Sequence, residues 1–143
     1  MNELKITRTS WSEHAPALSA IRKQVFVDEQ RVPLELELDE DDASATHFLA
    51  SIGPENRPIA TARLLANGHV GRMAVLKTYR NQSVGNKLLS AIIETARQFG
   101  YPELFLNAQV TALGFYEKAG FKKQGDIFMD AGIPHQRMSR KLT

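Results

Sequence analysis

Residues 72–89 read RMAVLKTYRNQSVGNKLL, and this stretch decides how the rest of the sequence is interpreted. An apolar strand runs into a polar turn, and the turn runs directly into a helix. Backbone N–H groups at such a helix start, together with the helix dipole, favour an anion. Arg80 can add a charge-assisted contact to a phosphate, and Gly85 lets a ligand approach the backbone closely. The segment predicts a phosphate cradle, with a capped surface helix as the alternative interpretation.

Details of this turn give further expectations. Ser83 is predicted to be the N-cap of the helix, with a negative φ. Asn81 tolerates a positive φ better than most residues do. The turn is not a Walker A loop, because Gly85-Asn86-Lys87 lacks both the Gly-Lys-Ser/Thr ending and the upstream glycine.

Hydrophobic periodicity on either side of the turn predicts a single mixed α/β domain over residues 1–143, with a central, mostly antiparallel mixed sheet flanked by helices. The clearest helix covers Val84–Phe99. Asn67-Gly68 is a hairpin signal, which should pair strands at 59–65 and 70–76. Further strands are predicted at 4–8, 47–52, 104–110, 121–129 and 136–142, and further helices near 15–26 and at 112–118.

Residues 35–42 read ELELDEDD, with six acids in eight positions. Such a run is predicted to be an exposed loop outside the core. Its field can attract a cationic amine, and a merely solvated loop is the alternative.

Composition excludes several classes of function. The chain of 143 residues has no cysteine, which excludes disulfides, thiolate metal sites and cysteine nucleophiles. Its 18 Lys and Arg against 16 Asp and Glu argue against a nucleic-acid partner. No apolar run approaches the roughly 20 residues that span a bilayer, so we expect no membrane partner and a cytoplasmic protein. The histidines show no metal-ligand spacing with acids, so we expect no metal.

A second segment, residues 111–121, reads TALGFYEKAGF and predicts a short helix that ends at Gly120. Phe115 and Phe121 are expected to be core residues. The two segments together resemble the GNAT acetyltransferase family. Its Arg-x-x-Gly-x-Gly pattern falls on 80–85, with Ser83 in place of the first glycine, and its distal Phe-Tyr motif falls on 115–121. Residues 21–30 and 132–135 look like the ElaA/YjcF-type branch of that family.

The resemblance implies transfer of an acetyl group from acetyl-coenzyme A (acetyl-CoA) to an amine by direct attack. It implies that Tyr116 acts as general acid or makes a positioning hydrogen bond. Asn107 would contact the pantetheine arm or an ordered water, or be an ordinary strand-end polar residue. The candidates for the base are Glu29 and His135, with a solvated helix end and a surface histidine as the respective alternatives. Glu37, Asp39 and Asp42 are further candidates. The residues implied to bind the cofactor are Met73, Ala74, Val75, Arg80, Asn81, Gln82, Ser83, Val84, Gly85, Asn86, Asn107 and Tyr116.

The sequence leaves the acceptor open as a small-molecule or peptide amine. A non-catalytic module that binds or senses acyl-CoA is the alternative function. The resemblance also makes a homodimer possible.

Overall fold

The structure, a computed structural model, describes residues 3–37 and 39–143. Its helices and strands confirm the predicted mixed α/β class with antiparallel pairing. The helices are α1 (Trp11–Arg22), α2 (Leu34–Glu37), α3 (Val84–Gln98) and α4 (Leu113–Lys118), and α1 continues as a π-helix over Lys23–Glu29. The strands are β1 (Leu4–Thr9), β2 (Thr46–Ile52), β3 (Arg57–Leu64), β4 (Val70–Val75), β5 (Glu103–Gln109), β6 (Lys122–Asp130) and β7 (Ile133–Lys141).

The strands form two antiparallel sheets, in the orders β1-β2-β3-β4 and β5-β7-β6. The sheets meet where β4 and β5 run parallel, at a bridge between His69 and Phe105. Beyond the bridge the two strands separate, so a cleft opens between the sheets. Gly68 is needed at this junction, because its φ is +89° and a Cβ there would lie 2.5 Å from the carbonyl oxygen of Glu103.

Helices cover both faces of the first sheet. The apolar stripe of α3, including Leu88 and Ile92, packs into the larger core with Phe48 and Leu104. On the other face, α1 and the π-helix bury Leu18, Ile21 and Val25 against Leu49 and Ala74. Alternation along β2 explains this arrangement, since successive strand residues point to opposite faces.

The prediction that residues 35–42 form an exposed loop is wrong for two of the acids in that run. Glu37 and Asp42 are buried, 7% and 4% exposed. Arg22 of α1, only 1% exposed, donates from Nε to Glu37 (2.5 Å) and from Nη1 to Asp42 (2.7 Å). Buried carboxylates require such a partner. Leu38, also part of the predicted loop, lies outside the described residues.

These acids belong to a larger group of charges, here called the ion cluster. It joins α1, α2 and the 3₁₀ turn at Glu40–Ala43 to strands β3 and β4. The described residues place three arginines and three carboxylates in it, so their formal charges balance. Its members are Arg22, Arg63, Arg72, Glu37, Asp39 and Asp42.

Candidate active site

A cavity of about 320 Å³ occupies the cleft between β4 and β5. Four of the residues predicted from the sequence line it: Met73, Asn107, Tyr116 and His135. They come from β4, β5, α4 and β7, so only the tertiary fold brings them together. A cleft of this size, with polar and charged side chains beside apolar ones on its wall, can hold a small molecule and offer it specific polar contacts.

Tyr116 reaches the cavity from α4. Its hydroxyl lies 3.8 Å from the Met73 sulfur, across the cleft on β4. Edge-on contacts with Phe115 and Phe121, at centroid distances of 4.9 and 6.0 Å, hold the ring in place. Burial raises the pKa of Tyr116 to about 12, so the phenol keeps its proton at neutral pH.

His135 lies near the start of β7, and its ring stacks on Phe128 at 6.0 Å. Its Nδ1 is 2.7 Å from the carbonyl oxygen of Ile133. A carbonyl can only accept, so Nδ1 carries the proton in this hydrogen bond. The neutral ring therefore keeps a lone pair on Nε2, which is what a general base requires.

Strand β4 carries a bulge where it borders the cavity. Thr61 pairs with Ala74 while Arg63 pairs with Gly71, so β4 has one residue more than β3 over this span. Arg72 lies in the bulge with a φ of +49°. A bulge leaves one residue out of the ladder and redirects its neighbours, and such features are common beside active sites.

The turn before α3 differs from the sequence prediction at one residue. Asn81 has a φ of +62°, as its residue type allows. Ser83 has a φ of +65°, so the predicted negative φ is wrong, and its hydroxyl makes no capping hydrogen bond. Ser83 stands where the resembled pattern has glycine, the residue that adopts this conformation without steric cost.

Donors for an anion are nevertheless present at the start of α3. Lys87 N–H bonds back to the Ser83 carbonyl (3.1 Å). The amides of Val84, Gly85 and Asn86 precede that bond and have no partner within the helix. Gln82 lies in the same turn and donates to the Thr78 carbonyl (3.2 Å). The chemistry of the turn thus fits a phosphate.

Gly85 has a packing role in this structure. A Cβ at Gly85 would lie 3.2 Å from the Phe115 ring, closer than nearly all real Cβ contacts. The missing side chain therefore lets α3 approach α4, the helix that carries Tyr116.

Arg80 makes a two-pronged ion pair with Glu29, at the end of the π-helix. Nη1 and Nη2 lie 2.6 and 2.7 Å from the two carboxylate oxygens, and Nε donates to the Val75 carbonyl (2.9 Å). The hydrogen bonds from Arg80 hold the pKa of Glu29 below its ordinary value. Glu29 therefore pairs with the phosphate turn and does not itself line the cavity, although its neighbour Gln30 does. A carboxylate of lowered pKa is also a poor base.

Arg63, His69 and Arg72 line the cavity but were not predicted from the sequence, and the same is true of Gln30, Gln109 and Asp130. Arg63 is 4% exposed and follows the buried Ala62 in β3. A charged residue inside an otherwise apolar strand is the one sequence signal that marks such a position. Burial lowers the pKa of His69, and the positive charges of nearby arginines lower it further.

Metal chemistry has no evident ligands in the described parts of the chain, where no group of three or more His, Cys, Asp or Glu residues is arranged to hold an ion. Among the helices described, none is long and apolar enough to cross a membrane.

Comparison with known proteins connects this geometry to a family. A family model described as the acetyltransferase (GNAT) domain matches residues 13–142. The uncharacterized N-acetyltransferase YjcF of Bacillus subtilis is 36% identical over 124 residues, covering 84% of this chain and 87% of that protein. Protein ElaA of Escherichia coli is 30% identical over 134 residues, covering 88% of this chain and 86% of that protein. The crystal structure of Escherichia coli ElaA superposes with a TM-score of 0.82 at 29% identity, covering 99% of this chain and 100% of the other.

Proposed function

Because the chain belongs to the GNAT acetyltransferase family, we propose that it transfers an acetyl group from acetyl-CoA to a primary amine of a small-molecule or peptide acceptor. The predicted likeness to the ElaA/YjcF-type branch is confirmed by the relatives. The observation that carries the proposal is the cleft between β4 and β5, where Met73, Asn107 and Tyr116 surround one cavity.

The donors at the start of α3 would hold the pyrophosphate of acetyl-CoA, with Arg80 beside them. Asn107 is exposed on β5 within the cleft and would contact the pantetheine arm or an ordered water. Backbone N–H groups of Met73–Val75, next to the bulge, would donate to the carbonyl oxygen as negative charge develops there. Acetyl-CoA supplies the acetyl thioester, and the chain orients the two substrates and accepts the proton of the amine.

His135 is a better candidate for the base than Glu29, since it lines the cavity and its Nε2 can accept a proton. The amine gives its proton to Nε2, the nitrogen bonds to the acetyl carbon, and the carbon–sulfur bond breaks. The sulfur leaves with the electron pair. A phenol with a pKa of about 12 is a weaker acid than a thiol of about 8.5. Tyr116 therefore acts by a hydrogen bond to the departing sulfur and not as a general acid.

Thiol release is a clean assay for this reaction, because the chain has no cysteine and contributes no background. Calorimetric titration with acetyl-CoA comes first, followed by turnover against a panel of amines. Tyr116→Phe should lower turnover by about 10²-fold while leaving acetyl-CoA affinity nearly unchanged, since its hydrogen bond strengthens only as charge develops.

Tyr101→Phe is the matched control, because Tyr101 is also half-buried but does not line the cavity. Equal turnover in wild type and Tyr116→Phe would refute the role of the hydroxyl. Saturable acetyl-CoA binding without turnover of any amine would indicate the non-catalytic module instead.

A further inference from the structure

The arginines of the ion cluster differ in how many of their guanidinium nitrogens make hydrogen bonds. Arg22 donates from all three of its guanidinium nitrogens to Glu37 and Asp42. Arg63 and Arg72 differ, because the Nε atom of each is buried without a hydrogen-bond partner among residues 3–37 and 39–143. Buried donors in native proteins nearly always have a partner, so these two call for an explanation.

Arg72 is the more weakly held of the two. Its Nη2 lies 3.3 Å from the Glu37 carbonyl oxygen and 3.4 Å from the Asp39 carboxylate, and its Nε lies 3.7 Å from the Glu37 carboxylate. Charge-assisted hydrogen bonds are normally near 2.7–2.9 Å. Arg72 therefore retains capacity for a closer anionic partner.

Arg72 lies where such an anionic partner could bind, on the wall of the cavity. Arg72 and Arg63 both line it, and the Arg72 side chain is 27% exposed. Arg72 also directly precedes Met73, which the Tyr116 hydroxyl contacts at 3.8 Å. An anion held by Arg72 would thus lie close to the proposed reaction centre.

Positive potential at this wall agrees with that placement. Besides burial, the charges of Arg63, Arg137 and Arg72 lower the pKa of His69, and Asp39 opposes them only as the smallest influence. The acids of the ion cluster are occupied by arginines. Of the two carboxylates that line the cavity, Glu37 and Asp130, only Asp130 has no ion-pair partner among the described residues.

We propose that the acceptor is an amine bearing a carboxylate a few bonds from its nitrogen, as in a free amino acid, and that Arg72 binds this carboxylate. A guanidinium matches a carboxylate in both charge and fork geometry. Apolar cavity residues such as Phe26, Leu36 and Ile133 would receive the rest of the molecule. The inference rests on the proposed acetyl transfer and specifies its substrate class.

The test uses pairs of acceptors that differ only in the carboxylate: phenylalanine with phenethylamine, tyrosine with tyramine, and leucine with 3-methylbutylamine. The measured quantity is the kcat/KM of the carboxylate-bearing amine divided by the kcat/KM of its partner without the carboxylate. Arg72→Gln should lower this ratio by about 10- to 100-fold for the best pair, the usual loss of a hydrogen bond to a charged group. Comparing the ratio between wild type and variant cancels the different basicities of the two amines.

Arg72→Lys keeps the charge but loses the fork, and should lower the ratio by a smaller factor. Arg137→Gln is the control for long-range charge, because Arg137 adds to the positive potential at His69 but lies exposed over the Phe105 ring (4.3 Å) and does not line the cavity. It should leave the ratio within about two-fold of wild type. A ratio unchanged by Arg72→Gln, or lowered equally by Arg137→Gln, would overturn the assignment.

A binding measurement separates this inference from the proposed function. Calorimetry compares N-acetylphenylalanine with N-acetylphenethylamine in the presence of coenzyme A, and it requires no turnover. Tighter binding of the carboxylate compound, lost in Arg72→Gln, supports the inference even if no amine is acetylated. Equal binding of the two compounds overturns it, even if acetyl transfer is found.

Discussion

Replacing Arg22 with methionine tests the role of the ion cluster in holding the cavity wall. The substitution keeps an apolar stem beside Trp11, whose ring lies 5.4 Å from the guanidinium carbon. It removes the hydrogen bonds to Glu37 and Asp42 and leaves both carboxylates at 7% and 4% exposure without Arg22 as their partner. Removing one partner of a buried ion pair costs about 3–5 kcal/mol. That is a large share of the 5–15 kcal/mol typical of a domain.

Urea denaturation measures the loss in free energy of unfolding, and Lys23, the residue after Arg22, provides the control. Lys23 pairs with Asp28 at 3.1 Å, but their side chains are 59% and 54% exposed. Lys23→Met should therefore cost less than about 1 kcal/mol. Adding Glu37→Gln to Arg22→Met should restore part of the loss, because it removes one uncompensated charge.

The pH dependence of Arg22→Met gives a further check. Protonation neutralises a carboxylate that has lost its arginine, so the difference in unfolding free energy between wild type and variant should shrink as the pH falls from 7. A cost no larger than that of Lys23→Met would refute the reasoning. It would mean that the buried acids do not depend on Arg22.

Three further predictions concern the turn and the tyrosine. Glu29→Gln should tighten acetyl-CoA binding about two- to five-fold, because the substitution frees Arg80 and removes a negative charge from the phosphate turn. Weaker binding in calorimetry would show that Glu29 positions Arg80 instead. Ser83→Gly should raise the free energy of unfolding by about 0.5–1 kcal/mol, since relief of the left-handed strain exceeds the entropy cost of glycine, whereas Ser83→Ala should give no gain in urea denaturation. One of the three tyrosines should form its phenolate only near pH 12, and this step in phenolate absorbance should be missing in Tyr116→Phe. The free energy of unfolding should decline above pH 10, because the native state then binds more protons than the unfolded state.

Local sequence signals were sufficient for most of the elements and for the family. The apolar stripe of residues 84–98 predicted α3 to within one residue at its end, since periodicity depends on neighbours within a few turns. Asn67-Gly68 predicted the pairing of β3 with β4 because turn conformation depends on two residues. The Arg80–Gly85 and Phe115–Phe121 segments predicted the family that the relatives confirm. The assignment of individual site residues stays a prediction.

The tertiary structure decided how the charges are used. The acidic run looked solvated in sequence because its partner, Arg22, lies 15 positions before Glu37 and on another helix. The sequence offered Glu29 as a candidate base or as a solvated helix end, and it could not show the ion pair because Arg80, which binds Glu29, is 51 positions away. Arg72 had no sequence signal, since its place on the cavity wall comes from a bulge in β4 and the separation of two sheets. Sequence alone thus determined the family and most of the elements, which depend on near neighbours. Helix α2, the ion pairs and the lining of the cavity depend on contacts that exist only after the chain has folded.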